Sequence, residues 1–251
     1  MKTFTKSLLT VAALTFAASS SAAVLDFKVQ DLADNPTAGV DFVNSLYSVK
    51  AQESFDGMGD PTAASYTGDH QTSWENRASS FNTSVGTFEL VQSGQTADNN
   101  VHNDQLMIES VRTGEYGRNQ GVTSEQDFWL DSNDAKEVRW TFGAPLTGYA
   151  NALGFYLYDA SDISANLKII FDNNDYVTIK FPELNGNVKY VSLVSDMNIL
   201  NAELVFQNTT SNDGWGINDV TIGTVPEPGT VVLLGLGLLG LGVARRRIAK
   251  Q

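Results

Sequence analysis

Between residues 24 and 224 the chain runs as short segments of β-branched and aromatic residues separated by Asn, Asp, Gly and Ser, and no long stretch repeats its apolar residues at the 3.6-residue period of a helix. That pattern restricts the fold to strands joined by turns. Leu25, Phe27 and Val29 alternate in a first strand at 24–30, and further strands are expected at 85–91, 105–112, 128–130, 136–142, 153–158, 188–194, 203–206 and 215–222. The clearest local unit is 167–171, then Asp172-Asn173-Asn174-Asp175, then 176–181: two strands about an Asx-rich turn, hence a β-hairpin. Residues 42–55 are ambiguous and read at best as a strand ending at Asp56-Gly57, 57–82 as a long ordered loop, and 222–231 as a linker. The fold class expected is all-β, an antiparallel two-sheet β-sandwich of jelly-roll type, with a barrel as the alternative.

Each end of this region carries an address. Lys2 and Lys6, an apolar run at 8–18 and the small residues Ser21-Ala22-Ala23 make 1–23 a signal peptide, cut by signal peptidase after Ala23. At the other end, 225–251 reads as Val225-Pro226-Glu227-Pro228, an apolar run at 231–244 and the cluster Arg245-Arg246-Arg247. The prolines hold the first block extended. Fourteen apolar residues at about 1.5 Å each cover about 21 Å, and with Gly229, Thr230 and snorkelling arginines they just cross a bilayer. The positive-inside rule keeps the arginines cytoplasmic and everything before the helix outside. The domains expected are therefore 1–23, the sandwich at 24–224, and 225–251.

The order of Pro226, Glu227 and Pro228, a Gly/Leu helix, then Arg245, Arg246 and Arg247 resembles the PEP-CTERM sorting signal of exopolysaccharide-producing Gram-negative bacteria. That resemblance implies processing by an exosortase, a precursor held transiently in the cytoplasmic membrane by its C-terminal transmembrane helix, and delivery to the cell envelope, outer surface or extracellular matrix. An ordinary C-terminal anchor is the alternative.

With no cysteine, an exported chain has no disulfides and depends on core burial and bound ions for stability. Residues 24–224 hold ten Lys and Arg against 28 Asp and Glu, a net charge of −18. This disfavours nucleic acid and anionic lipid as partners and favours divalent cations. His70 and His102 sit in polar stretches without the paired spacing of a zinc site, and neither a Gly-x-Ser-x-Gly elbow nor a phosphate loop occurs. Asp131-Ser132-Asn133-Asp134 and the acid-rich turn at 172–175 lack the Gly and Glu of an EF-hand loop and read as Asx turns. Trp140 alternates with Val138 and Phe142 and reads as core. Trp74 and Trp129, next to loops, are the candidates for a ligand-binding, sugar-stacking platform.

Asp213-Gly214-Trp215-Gly216-Ile217-Asn218-Asp219-Val220 is similar to the closing strand of galactose-binding-like and carbohydrate-binding-module jelly rolls, with Asn218 where those families often have Asp. Gly117-Arg118, Trp129-Leu130-Asp131 and Ala152-Leu153-Gly154-Phe155-Tyr156-Leu157 add to the likeness. The resemblance implies a structural calcium (Ca2+) held by Asp219 with Glu53 as its early-strand partner. The function expected is that of a non-enzymatic structural or adhesive protein of the envelope or exopolysaccharide and biofilm matrix. The alternative is a calcium-dependent carbohydrate-binding module, with a secreted glycoside hydrolase a distant third. Mass spectrometry of the mature protein from an exosortase-competent host should find a C-terminus lacking Arg245; an intact tail would leave only a plain anchor.

Overall fold

The computed structural model describes residues 25–59, 76–93, 105–110, 127–132, 135–142, 150–158, 165–180, 188–206 and 215–225. The signal peptide, the sorting tail, Trp74, His70 and His102 lie outside them. Among the described residues the elements are β1 (Leu25–Asp31), α1 (Ala38–Ser45), β2 (Ser48–Glu53), β3 (Asn76–Ala78), β4 (Ser80–Thr83), β5 (Gly86–Ser93) and β6 (Leu106–Ser110). There follow β7 (Phe128–Ser132), β8 (Ala135–Thr141), β9 (Ala152–Tyr158), β10 (Ala165–Phe171), β11 (Tyr176–Lys180), β12 (Val188–Ser195), β13 (Ile199–Phe206) and β14 (Trp215–Thr224).

They form two antiparallel sheets. One runs β1-β12-β9-β14-β7-β6-β3, with β2 also paired to β14, and the other runs β11-β10-β13-β8-β5-β4. The chain changes sheet repeatedly, as a sandwich with a shared core requires. Inward residues alternate along each strand and meet between the sheets: Val138 and Trp140 of β8, Leu153, Phe155 and Leu157 of β9, and Leu167 and Ile169 of β10 are all buried. Trp140 stands at the centre of this layer, as its alternation predicts. It stacks on Phe88 at 5.1 Å, meets the Phe155 ring edge-on at 6.3 Å, and donates its indole N–H to the Val85 carbonyl at 3.0 Å.

The hairpin forms as read, with Ile170 opposite Tyr176. Asn174 takes φ 66°, a left-handed conformation that Asn tolerates, and the Asp175 N–H bonds the Asn173 side chain at 2.8 Å. The acid-rich turn at 172–175 is thus an Asx turn.

Three expectations need correction. Residues 38–45 form a helix, although they hold Gly39, Val40 and Val43, poor helix formers. Tertiary packing decides the matter: Ala38 and Phe42, one turn apart, bury against Ala152 and Tyr190 on the outer face of the larger sheet. Asp41 in the first turn suits the helix dipole and accepts a bond from Thr37 Oγ1 at 2.8 Å. Second, the stretch 57–82 includes β3 and the start of β4. Third, the linker does not begin at Ile222, because β14 continues through Thr224 and Asn151 grips Val225. The Val225 N–H bonds Asn151 Oδ1 at 2.8 Å, and Asn151 Nδ2 bonds the Val225 carbonyl at 3.3 Å.

At the other end, Lys189, nearly buried, reaches the Asp31 carboxylate and ties β1 to β12, holding the Asp31 carboxyl below the usual range.

Gly154 sets how closely α1 approaches the sheet. A Cβ there would stand 2.4 Å from the Tyr190 hydroxyl and 2.7 Å from the Phe42 ring. Gly154→Ala should therefore cost about 1–3 kcal/mol through overpacking. For a domain of this size Tm falls by about 2–4 °C per kcal/mol, which calorimetry will read; an unchanged Tm would mean that α1 is not seated as described.

Candidate functional site

A cleft of about 490 Å³ opens where α1 crosses the outer face of the larger sheet. One wall is helical, from Gly39, Val43 and Asn44; the opposite wall is Gln52 and Glu53 at the end of β2. Tyr156, Tyr190, Asp219 and Thr221 from β9, β12 and β14 line it between them. Register brings these distant segments together: Tyr156 pairs with Tyr190 on one side and with Asn218 on the other.

The geometry at Asp219 follows from a β-bulge. Trp215 and Ile217 face the core, and so do Val220 and Ile222, so one extra residue must lie between the two pairs. Asn218 and Asp219 absorb it. Asp219 takes φ 46°, in the left-handed region, and its N–H bonds the Asn218 side chain at 2.8 Å. This places an acid beside Tyr156 and Tyr190 in the cleft.

Tyr156 and Tyr190 meet edge-on at 4.9 Å, and the Gly39 N–H donates to the Tyr156 hydroxyl. A Cβ at Gly39 would come within 2.4 Å of that oxygen, so glycine is required for the contact. Among the described residues the buried Tyr190 hydroxyl has no hydrogen-bond partner. An orphaned polar atom of this kind costs about 1–3 kcal/mol.

Electrostatics in the cleft are one-sided. Burial raises the Asp219 carboxyl above its usual range, and the Asp56 and Asp127 carboxylates push it the same way. As a residue Asp219 keeps solvent access, so the desolvation is partial. Burial also raises Tyr156 and Tyr190, with Asp219 adding to both.

Glu53, the proposed partner of Asp219, lines the same cleft, paired in register with Val220. Its carboxylate is committed to other groups. Oε1 accepts the Phe55 N–H at 2.9 Å, and Oε2 accepts the Ser84 N–H at 2.8 Å and the Ser84 hydroxyl at 3.0 Å. These bonds stabilise a strained turn, since Phe55 takes φ 60° with its side chain fully buried, a conformation that costs a bulky residue about 1–3 kcal/mol. Among the described residues no three His, Asp or Glu side chains are grouped to hold a metal ion.

Trp129, expected beside a loop, lies within β7 and is fully buried. Its indole N–H bonds Asp131 at 2.9 Å and its ring meets Tyr158 across Gly216, where a Cβ would come within 2.9 Å of the indole. It offers no free face for stacking. Trp74 and the sorting residues Pro226, Glu227, Pro228, Arg245, Arg246 and Arg247 fall outside the described residues. The sequence reading missed Tyr156, Tyr190, Gln52 and Asn44. Strand alternation marked Tyr156 and Tyr190 as facing away from the core, which was the available signal.

Residues 224–247 match the family model of the PEP-CTERM protein-sorting motif. The chain thus carries a signal for export and surface sorting at its C-terminal end. Comparison with curated protein sequences finds no relative. Among solved structures, a family 29 carbohydrate-binding module studied for ligand recognition is similar at 11% identity, covering 40% of this chain and 74% of its own, with a TM-score of 0.30. The CBM22-1 xylan-binding domain of Paenibacillus barcinonensis Xyn10C is similar at 10% identity, covering 71% and 95%, with a TM-score of 0.23. The enzymatically active domain of bacteriophage CBA120 tailspike protein 4 is similar at 16% identity, covering 66% and 22%, with a TM-score of 0.26. At TM-scores this low the matches fix neither a shared topology nor a shared site. Among the described residues no helix is long and apolar enough to cross a membrane.

A carboxyl whose pKa is raised by folding binds its proton more tightly in the native state, so it lowers stability as pH rises through the shifted value. Asp219→Asn should therefore raise Tm at pH 7, with the gain shrinking to nothing below about pH 4, where the carboxyl is protonated in both states. Melting curves across pH 3–8 decide it; a loss of stability at pH 7 would mean that the carboxylate is compensated.

Proposed function

We propose that the mature protein is a non-enzymatic, adhesive component of the envelope or extracellular polysaccharide matrix of a Gram-negative bacterium, and that it binds glycan in the cleft between α1 and β14. The observation that carries the reading is the lining of this open cleft, which gathers Tyr156 and Tyr190 with Asn44, Gln52, Asp219 and Thr221. Aromatic side chains combined with convergent amide, hydroxyl and carboxylate groups suit a polyhydroxylated ligand. Export, supplied by the sorting motif, puts such a cleft where polysaccharide is met. Exosortase releases or transfers the chain from the membrane. A hydrolytic role fits poorly, because glycoside hydrolysis needs two available carboxyl groups and Glu53 is held by Phe55 and Ser84.

Calcium dependence is a second reading of the same cleft, favoured by the Asp56 and Asp127 charges acting on Asp219, a repulsion that a divalent cation relieves.

The purified chain, tested on a glycan array, should bind selectively. Tyr156→Ala should weaken that binding by about tenfold or more, the scale of one well-placed aromatic contact, while a melting curve confirms that the variant is folded. Silence across the array, or full binding by the folded variant, would reject the reading. For the second, added calcium should raise the Tm of the wild type and not of Asp219→Ala; no shift in either rejects it.

A further inference from the structure

We propose that the cleft selects an amine-bearing glycan, the ligand's ammonium held by the Asp219 carboxylate beside the Tyr156 and Tyr190 side chains. This rests on the glycan-binding reading above and names its ligand class.

Charge gives the first ground. Glu53 and Asp219 line the cleft and, among the described residues, no Lys or Arg does, while Asp56 and Asp127 add to the negative potential at Asp219. A uronate, sulfated or phosphorylated sugar brings like charge into this field and is repelled; a cationic sugar is drawn in.

The donor set gives the second. Glu53 spends both oxygens on Phe55 and Ser84, leaving Asp219, among the described residues, as the uncommitted carboxylate of the lining. No described residue donates a hydrogen bond to it. Calcium seeks six to eight oxygens, which one free carboxylate with a few neutral groups supplies badly. An ammonium asks for less. Its three N–H donors need one carboxylate and two further acceptors, and tyrosine faces attract it as a cation.

The third ground is independent of charge. Tyr190, a residue of the cleft wall, is 1% exposed, and among the described residues its hydroxyl lacks the hydrogen bond that buried hydroxyls normally have. The ligand that engages Asp219 enters beside the Tyr190 side chain.

The test is calorimetric titration of the purified full chain in chelator-containing buffer at about pH 6, where a sugar amine is protonated and a carboxylate ionised. Three probes of equal length are used: a glucosamine oligomer with free amines, its N-acetylated counterpart and an oligogalacturonate. The free-amine oligomer should bind about tenfold tighter than the N-acetylated one, the ratio a single charge-assisted hydrogen bond supports. The galacturonate should not bind. Asp219→Asn, checked for folding by its melting curve, should equalise the two glucosamine probes. Equal binding of those probes to the wild type overturns amine selection and leaves glycan binding standing. Binding of none overturns both. Preference for the galacturonate, or an amine preference seen only when calcium replaces the chelator, overturns the proposal in favour of a metal.

Discussion

β14 has to serve three neighbours with one strand. It pairs with β9 along one side; on the other, Trp215, Gly216 and Ile217 pair with β7, and Val220 onward pairs with β2. Both ladders and the core face must be satisfied at once, because an unpaired backbone group inside a sheet is expensive. A regular strand would keep strict alternation through the handover from β7 to β2. The bulge at Asn218 and Asp219 lets Val220 and Ile222 return to the core after the change of partner. The left-handed Asp219 is what this costs. Its carboxylate stands among tyrosines because the sheet needed an extra residue there, and the cleft inherits its acid from that requirement.

The outer face of the same sheet explains the rest of the site. Ala152, Gly154, Tyr156 and Tyr190 make an apolar surface with polar tips, and a face of that kind is not left open to water. Helix α1 covers part of it through Ala38 and Phe42. Glycines set the spacing: Gly39 meets the Tyr156 hydroxyl and Gly154 admits both Phe42 and Tyr190. The uncovered part, between the helix and β2, is the cleft. Without disulfides the arrangement depends on this packing and on the strained turn after β2, where Glu53 holds Phe55 and Ser84 together.

Most strands were legible because they carry β-branched and aromatic residues between turn residues, and because inward positions alternate, as at Val138 and Trp140. What escaped the sequence depends on distance along the chain. Helix α1 is two turns long with Gly39 and two valines in it, so its local preference is weak and only contact with β9 and β12 secures it. β2 is polar at most positions and is a strand because β14 needs a neighbour. Trp129 looked available beside a loop, yet Gly216 on a strand nearly ninety positions later allows Tyr158 to close over it. Asp219 and Glu53 were both singled out and both reach the cleft. Their division of labour, with Glu53 committed to Phe55 and Ser84 and Asp219 bonded by no described donor, was hidden because Ser84 is remote in sequence.

The same strand that supplies Asp219 also delivers the tail. Tyr47 N–H bonds the Thr224 carbonyl at 2.8 Å, and Asn151 holds Val225 through its N–H and its carbonyl, so folded structure reaches the residue before Pro226. Any cut at or beyond Pro226 therefore leaves every described hydrogen bond of β14 in place, including the pairing with β2 that sets one wall of the cleft. A sorting signal attached to a central strand would ordinarily put the fold at risk when it is removed. Here the Asn151 clamp ends the sheet on its own terms, and the folded domain keeps its cleft whether the tail is present or gone.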